Sequence, residues 1–415
     1  MSNGALSDLR VLEYSHFISG PYCGKLLADL GAEVIKVEEP GIGDEARRTA
    51  PFLNDTPHPE RSGLFLYLNT NKLGVTVNPR SSKGRSIFKD LVDECDILIE
   101  NNRPDLMTEI GLDYQTLSQI NAQLIMTSIT PFGQTGPYRE YRATDLITCQ
   151  MAGLGWTTPG KVRNPPQEPP LRTGGRQAHF VAGSTAAMAT LFALCARRAS
   201  GVGQHLDISE QEALASFLRM EIAYYTHDPD GSYHMFKTRV GTPIMVGFLP
   251  CKDGYIVNGC REEYQWRRLL EVVFGPDFDK EKRLMNIFEG APWSVFLIAF
   301  NWEKVRPLIV EWTMQHTKEE IFRIAQERNL PITPCNTIDE VLASPQIKER
   351  GFFIDIDHPE TGKIHYPGAP YKLEKTPCQV VHPAPLLGQH NNEIFAGRLG
   401  YSKQDLAKLS DSGVI

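Results

Sequence analysis

Arg10-Val-Leu-Glu-Tyr14, then Ser15-His-Phe-Ile-Ser-Gly-Pro21, then Val34-Ile-Lys-Val37 is the stretch on which the fold is decided. The first run reads as a short strand. Gly20-Pro21 opens a helix that runs through Leu30, with Gly31 as its stop; proline suits a first turn and glycine a C-terminal cap. Val34, Ile35 and Val37 make the next strand, so the segment is a βαβ unit of the parallel-sheet kind.

Working outward, the alternation continues. Leu73 to Val77 reads as a strand, and Ser82 precedes an amphipathic helix through Leu91. Asp96 to Glu100 is a buried-looking strand, Leu117 to Ala122 closes another helix, and Leu124 to Ile129 is a further strand. Such alternation predicts an α/β protein with a Rossmann-like, doubly wound sheet. Residues 180–197 form a long helix of small and apolar residues, His205 to Ile208 one more strand, and Glu210 to Tyr225 another helix. The turn-rich stretch from Thr226 to His234 is the best linker candidate. Beyond it the texture changes. Phe248 to Cys260 reads as a hairpin turning at Lys252-Asp253-Gly254, with helices near 262–274 and 303–314. Thr317 and Glu320 form a capping-box signature. Short strands follow Gly351, and two helical stretches fall between Gly388 and Leu409. The expected domains are a large one over 1–225, a linker at 226–243, a smaller α+β domain over 244–340, and a segment at 341–415 that returns to the large domain.

The 415 residues exceed what one core usually serves, which agrees with two domains. With 41% hydrophobic and 22% charged residues the composition is that of a globular protein. A net charge of −7 argues against nucleic acid as a partner. The eight cysteines make no CxxC pair and no zinc spacing with histidine, so they read as scattered thiols of a reducing compartment, and no metal is expected. No basic start followed by an apolar run suggests a signal peptide, and no stretch was expected to reach the ~18 apolar residues of a membrane span. The cytoplasm is the expected location. The first turn lacks GxGxxG and the chain lacks GxxxxGK[ST], which disfavours a dinucleotide or a P-loop nucleotide.

Several segments in order resemble the class III CoA-transferase family, the family of formyl-CoA transferase, carnitine CoA-transferase and methylacyl-CoA racemase. They are Leu6 to Tyr14, Ser19 to Cys23, Ala28 to Glu38, Leu68 to Lys72, Asp96 to Asn101, Gly111 to Tyr114, Phe132 to Tyr138, Ser344 to Gly351 and Ala384 to His390. The resemblance implies coenzyme A, as an acyl-CoA substrate, and a carboxylic acid as its acceptor. It also implies two chains interlocked ring through ring, with sites between the large domain of one and the small domain of the other. In such enzymes an Asp carboxylate attacks the thioester to give an acyl-aspartyl anhydride, which stays activated for exchange.

In the family that Asp opens the long helix of small residues. Counting back from Gly201-Val-Gly-Gln204 places His179 at its position. Glu39 and Glu109 stand where the resemblance leads one to expect groups friendly to phosphate. The glycine-rich loop of formyl-CoA transferases, which other family members also lack, has Val240-Gly-Thr-Pro243 in its place. Four readings follow. The chain is the non-catalytic subunit of a heterodimer or heterotetramer whose related partner carries the Asp, as in the benzylsuccinate CoA-transferase type. Or His179 moves a proton alpha to the thioester, although Thr144 replaces the histidine that racemases place before the match to Asp145. Or His179 forms an acyl-imidazole, which would leak to water. Or the chain is a CoA-binding or structural module with no enzymatic partner.

The resemblance and the rule that ligands gather at strand C-terminal ends nominate further residues. Lys72 and Arg47 are candidates for CoA phosphates, although a solvated charge and a helix-end pair with Asp44 or Glu45 are their ordinary roles. Asn101 and Arg103 follow one strand, and Thr130 and Phe132 follow the next; all four are candidate CoA contacts. His16 and Ile18 would border the acyl group. Asp145 reads as a helix cap.

Overall fold

The computed structural model describes residues 4–158, 166–227 and 247–415. They fall into two compact units: the first holds 4–158, 170–227 and 350–415, the second 166–169 and 247–349. The expected linker at 226–243 lies outside the described residues except for Thr226 and His227, as does the Val240 to Pro243 segment.

The first unit is built on six parallel strands: β1 Arg10–Tyr14, β2 Glu33–Glu38, β3 Lys72–Thr76, β4 Ile97–Glu100, β5 Ile125–Thr130 and β6 Gln204–Ser209. Their spatial order is β3-β2-β1-β4-β5-β6. Order therefore reverses between β1 and β4, the place where open α/β sheets leave a crevice at their C-terminal edge. Every residue of β4 and β5 is buried, whereas the edge strand β6 is half exposed. Helices cover both faces, so the inner strands read as continuous apolar runs without alternation.

The first unit's helices are α1 Ser19–Asp29, α2 Gly63–Leu68, α3 Ser82–Asp93, α4 Leu106–Glu109, α5 Tyr114–Leu117, α6 Asp145–Met151, α7 Gln177–Ser200, α8 Glu210–Ala215 and α9 Arg219–Thr226. On one face α1 and α7 pack together through Cys23, Leu27, Ala182 and Ala186. At 24 residues α7 is long and apolar enough to cross a bilayer, contrary to the sequence expectation. Its small-residue stripe instead lies against α1 and β5. A Cβ on Gly183 would sit 2.6 Å from the Ser19 carbonyl oxygen, so glycine permits that approach. On the other face Phe88 and Leu91 of α3 join Ile394, Phe395 and Leu406 from the C-terminal segment. That segment is stitched to β3: the Gly74 N–H donates to His390 Nδ1 and the Thr76 N–H to Asn391 Oδ1, both at 2.9 Å.

Two expected helices differ. The one expected over 117–122 is a single turn ending at Leu117, because the Ser118–Gln123 run turns polar before β5. The one expected over 210–225 breaks into α8, a 3-10 turn at Ser216–Leu218 and α9.

The second unit has a three-stranded antiparallel sheet, β7 Gly247–Cys251, β8 Gly254–Asn258 and β9 Ile332–Pro334, in that order. Trp266, Leu270, Trp302, Val305 and Ile309 form its core. Thr317 and Glu320 make the predicted capping box. Lys318 then pairs with Glu340, which ties the helix Ile338–Ala343 to this unit and postpones the return to the first unit until residue 350. A hairpin of β10 Phe353–His358 and β11 Gly362–Pro367 follows in the first unit.

Beneath the sheet's C-terminal edge lies a cluster of buried charge. The Lys36 ammonium, fully buried, contacts Glu13 Oε1 at 3.0 Å, Asp44 Oδ2 at 2.8 Å and the Ser15 carbonyl oxygen at 2.9 Å. Burial pulls its pKa down, but Asp44 and Glu13 outweigh that and hold it above an ordinary lysine's. Gly24 completes the packing: a Cβ there would lie 2.0 Å from Glu13 Oε2. Removing one partner of such a cluster strands buried charge. Lys36→Met should therefore cost about 3–5 kcal/mol. Urea unfolding of the full chain measures it, and a loss under about 1 kcal/mol would show that the cluster is not buried as described.

Candidate functional site

A cavity of about 250 Å³ opens at the C-terminal ends of β1, β2 and β3. Its walls include Tyr14, Ser15 and His16 after β1, Glu39 after β2, Asn78, Pro79 and Arg80 after β3, and Asn102 after β4. Arg48 and Arg80 are the exposed cations on it; Glu39 and Glu45 are its exposed acids. A cavity on the switch-point side of the sheet with two guanidinium groups suits a phosphate-rich ligand.

The wall formed by residues 15–17 is fixed from two sides. The Asn101 amide donates to the His16 carbonyl at 2.8 Å, and Asn101 Oδ1 accepts the His16 N–H at 2.9 Å. Asp44 Oδ1 accepts the Phe17 N–H at 2.8 Å while its other oxygen holds Lys36. Phe17 is thereby kept in the left-handed region at φ 66°. For a bulky residue that costs on the order of 1–3 kcal/mol, so the surroundings must enforce it.

On the far side of this wall stands the start of α7. The imidazole of His179 meets the Phe17 ring edge-on, with centroids 5.4 Å apart. Its Nδ1 lies 2.9 and 3.1 Å from the two carboxylate oxygens of Glu210, the buried first residue of α8. A carboxylate only accepts, so Nδ1–H donates, and Nε2 makes no hydrogen bond among the described residues. Arg176, the left-handed residue capping α7 (φ 55°, ψ 48°), lays its guanidinium 4.8 Å from the Phe17 ring centre. Asp145 opens α6, and its Oδ1 accepts the Ala178 N–H at 2.9 Å. The capping role expected of Asp145 is thus exercised on α7. Its second oxygen is buried and has no hydrogen-bond partner.

Few of the residues nominated from sequence reach the cavity. His16 lines it, and Asn101 supports it from behind. Lys72 is buried beneath the sheet edge, with Nζ 2.7 Å from Glu13 Oε2, 2.8 Å from the Pro21 carbonyl oxygen and 2.9 Å from Asn69 Oδ1. Burial lowers its pKa to about 8, with Glu13 pulling the other way. Arg47 is also buried. It pairs with Glu38 and Glu60, rather than the expected Asp44 or Glu45, and stacks 3.7 Å over Phe65. Neither cation has a donor facing solvent, because the acids that hold them come from distant β1, β2 and the 60s loop. Ile18 is wholly buried at the cap of α1 and is not among the residues lining this cavity. Arg103 is exposed and paired with Glu109, which neutralises the acid that threatened phosphate binding. Thr130 is buried with its hydroxyl unpartnered, and Phe132 packs against Tyr138. Sequence reasoning missed Arg48, Asn78, Arg80 and Glu210. The strand-end rule applied after β4 and β5 would have found Asn78 and Arg80 after β3.

Behind Asn102 sits Glu100, also buried. Its carboxylate accepts the Asn102 N–H at 2.8 Å. Burial pushes its carboxyl up to about 7, against the hydrogen bonds from Ser128 and Asn102. The Ser128 hydroxyl in turn lies 2.8 Å from His205 Nε2.

CoA-transferase family III matches residues 6–391. The succinyl-CoA–D-citramalate CoA-transferase of Chloroflexus aurantiacus is 32% identical over 99% of this chain and 98% of its own. The formyl-CoA:oxalate CoA-transferase of Rhodopseudomonas palustris is 30% identical over 99% and 97%. A subunit of the succinyl-CoA:(R)-benzylsuccinate CoA-transferase of Thauera aromatica is 31% identical over 95% of each. Among solved structures, a CAIB/BAIF family protein from Brucella suis superposes with a TM-score of 0.80 at 27% identity, covering 95% of this chain and 99% of the other.

Glu100 makes the wall behind the cavity pH-sensitive. The unfolded chain ionises it near 4.5, whereas the folded chain keeps its proton until about 7. Its stabilising contribution is therefore complete below the lower value and is lost as pH rises through the upper one. Glu100→Gln should flatten the fall in unfolding midpoint between those two pH values, read by denaturant titration across the range; a profile parallel to that of the natural chain would contradict it.

Proposed function

Because the chain belongs to CoA-transferase family III, we propose that it is one subunit of a transferase that moves CoA between an acyl-CoA thioester and a carboxylic acid. A second, related chain carries the nucleophilic Asp. The observation that carries this reading is His179 at the head of α7, where the family resemblance calls for Asp, held by buried Glu210. An imidazole there cannot become an aspartyl anhydride, and an acyl-imidazole would hydrolyse before exchange. That a subunit of the benzylsuccinate enzyme is among the relatives supports a heteromeric assembly, with two interlocked chains sharing each site. The eight unpaired cysteines support a reducing cytoplasm.

In this reading the cavity at the ends of β1–β3 takes the nucleotide end of CoA, with Arg48 and Arg80 against its phosphates. Lys72 and Arg47 serve that site from beneath by holding the strand ends. The partner's Asp attacks the thioester carbon, forms the anhydride and releases CoA thiolate. The incoming carboxylate attacks the aspartyl carbonyl of the anhydride and displaces the donor acid as its free carboxylate; the thiolate then attacks the new acyl carbonyl, which gives the product thioester and frees the Asp carboxylate. Asn101 and the fixed 15–17 wall position the thioester.

One observation favours a second reading, in which this chain is itself active. A carboxylate on Nδ1, with no hydrogen bond to Nε2 among the described residues, suits a general base. Two measurements decide. The chain expressed alone should exchange no CoA, and co-expression with an Asp-bearing relative should restore exchange. Full activity of the lone chain, abolished by His179→Ala, would establish the second reading instead. Arg80→Ala should weaken CoA binding ~10-fold, about 1.4 kcal/mol by calorimetry, and an unchanged affinity would move the phosphate site elsewhere.

A further inference from the structure

Glu100 differs from the other buried acids at the C-terminal edge of the sheet. Glu13 is paired with Lys36 and Lys72, Asp44 with Lys36, and Glu38 with Arg47. Glu100 is 2% exposed and is held by neutral groups: the Asn102 N–H at 2.8 Å, the Asn102 side-chain amide at 3.2 Å and the Ser128 hydroxyl. Among the described residues no cation pairs with it. Asp207 on β6 faces it and opposes its ionisation. Tyr14, its neighbour on β1, is a phenol that burial keeps neutral, and Arg80 and Glu39 lie around that phenol. From α4 the neighbour is Met107, against the Asn102 amide. Burial among neutral partners favours the uncharged carboxyl.

One chain of hydrogen bonds satisfies both charge states. Glu100 and Ser128 stand side by side on β4 and β5, and Ser128 Oγ lies 2.8 Å from Nε2 of His205, an exposed residue of β6. With the acid ionised, Nε2–H donates to the Ser128 hydroxyl, which donates to the carboxylate. When a solvent proton joins the other ring nitrogen, the Nε2 proton passes to the Ser128 oxygen and the Ser128 proton to the carboxylate. The carboxyl O–H then donates to Ser128, and Ser128 to Nε2. One proton has been gained and every hydrogen bond of the chain is kept, reversed in direction.

Asn102 joins this acid to the cavity. It lines the cavity, and its side-chain amide reaches both the Glu100 carboxylate and the Tyr14 carbonyl oxygen, the latter at 3.3 Å. We propose that filling the cavity with an anionic ligand is coupled, through Asn102, to protonation of Glu100, so that the site takes up a proton as it binds. This rests on the CoA-transferase reading above, which gives the ligand its phosphates. Two effects act in one direction. Phosphate charge disfavours a second negative charge behind Asn102. Protonation also releases the Asn102 amide from the carboxylate, so that it donates towards the ligand. An acid that burial holds at about 7 in the empty site therefore keeps its proton to higher pH in the filled one. Affinity is highest below that value and falls as pH rises through it. The histidine on the cavity wall, His16, is held by burial below its ordinary value, so it is largely neutral over that range.

The test is calorimetric titration of the chain, together with whatever partner co-purifies, against CoA at about pH 6 and about pH 8.5. Affinity should fall at least ~5-fold across that interval, the lower end of ordinary coupling between sites. The phosphate monoester of CoA, which ionises near about 6, gains charge over the same interval and would strengthen its contact with the guanidinium groups, so it does not supply the fall. Glu100→Gln should reduce the fall to less than about twofold. His16→Gln should keep it, and that variant decides the question if Glu100→Gln does not fold. Affinity independent of pH in the natural chain, a fall that survives Glu100→Gln, or a fall lost in His16→Gln would overturn the coupling while leaving the CoA-transferase reading intact. Failure of CoA to bind at either pH would overturn the nucleotide site of that reading and the coupling with it.

Discussion

The rest of the first unit depends on one buried ammonium. Lys36 sits in the middle of β2, where its strand neighbours are apolar, yet its Nζ reaches Glu13 on β1, Asp44 after β2 and the Ser15 carbonyl. Burying such a group is costly unless each contact is met, and here each is. The return lies in position. Asp44, fixed by Lys36, fixes the Phe17 N–H; Ser15 and Phe17 bracket His16; and Asn101 closes the turn from β4. One ion cluster thus sets the wall that bounds the cavity on one side and carries Arg176 and His179 on the other.

The sheet was readable because parallel strands buried on both faces leave continuous apolar runs, and because glycine and proline marked the helix ends between them. The first unit's strands fall where periodicity put them, within a residue or two at their ends. The site was less readable, for a reason that Lys72 and Arg47 illustrate. Each looks like a surface cation in its own neighbourhood. The partners that bury them, Glu13 for Lys72, and Glu38 and Glu60 for Arg47, are set by strand adjacency and loop return, which no local window contains. Ile18 failed the same way: a residue after a strand faces the pocket or the core depending on how α1 docks. Arg80 was within reach, since it follows β3 as Asn101 follows β4. Glu210 was not, because only the fold brings the start of α8 to the third residue of α7.

The His179–Glu210 pair gives the functional proposal its shape. A lone histidine in place of the acyl-accepting Asp could be an idle substitution. A histidine whose tautomer is set by a buried carboxylate, against a strained phenylalanine and beside a stacked arginine, is a built arrangement. It suits a surface that receives and orients an acyl group while another chain forms the covalent bond. Family membership supplies the reaction class, and the cavity with Arg48 and Arg80 is where we propose the nucleotide sits.

The most direct measurement is where the acyl group becomes covalent. The assembled transferase is incubated with acyl-CoA labelled in the acyl chain, the anhydride is trapped with borohydride or hydroxylamine, and each chain is digested and read by mass spectrometry. The modification should fall on an Asp of the second chain, with none on this one. An acyl adduct or its trapped product on His179 or Asp145 of this chain would contradict the division of labour proposed here.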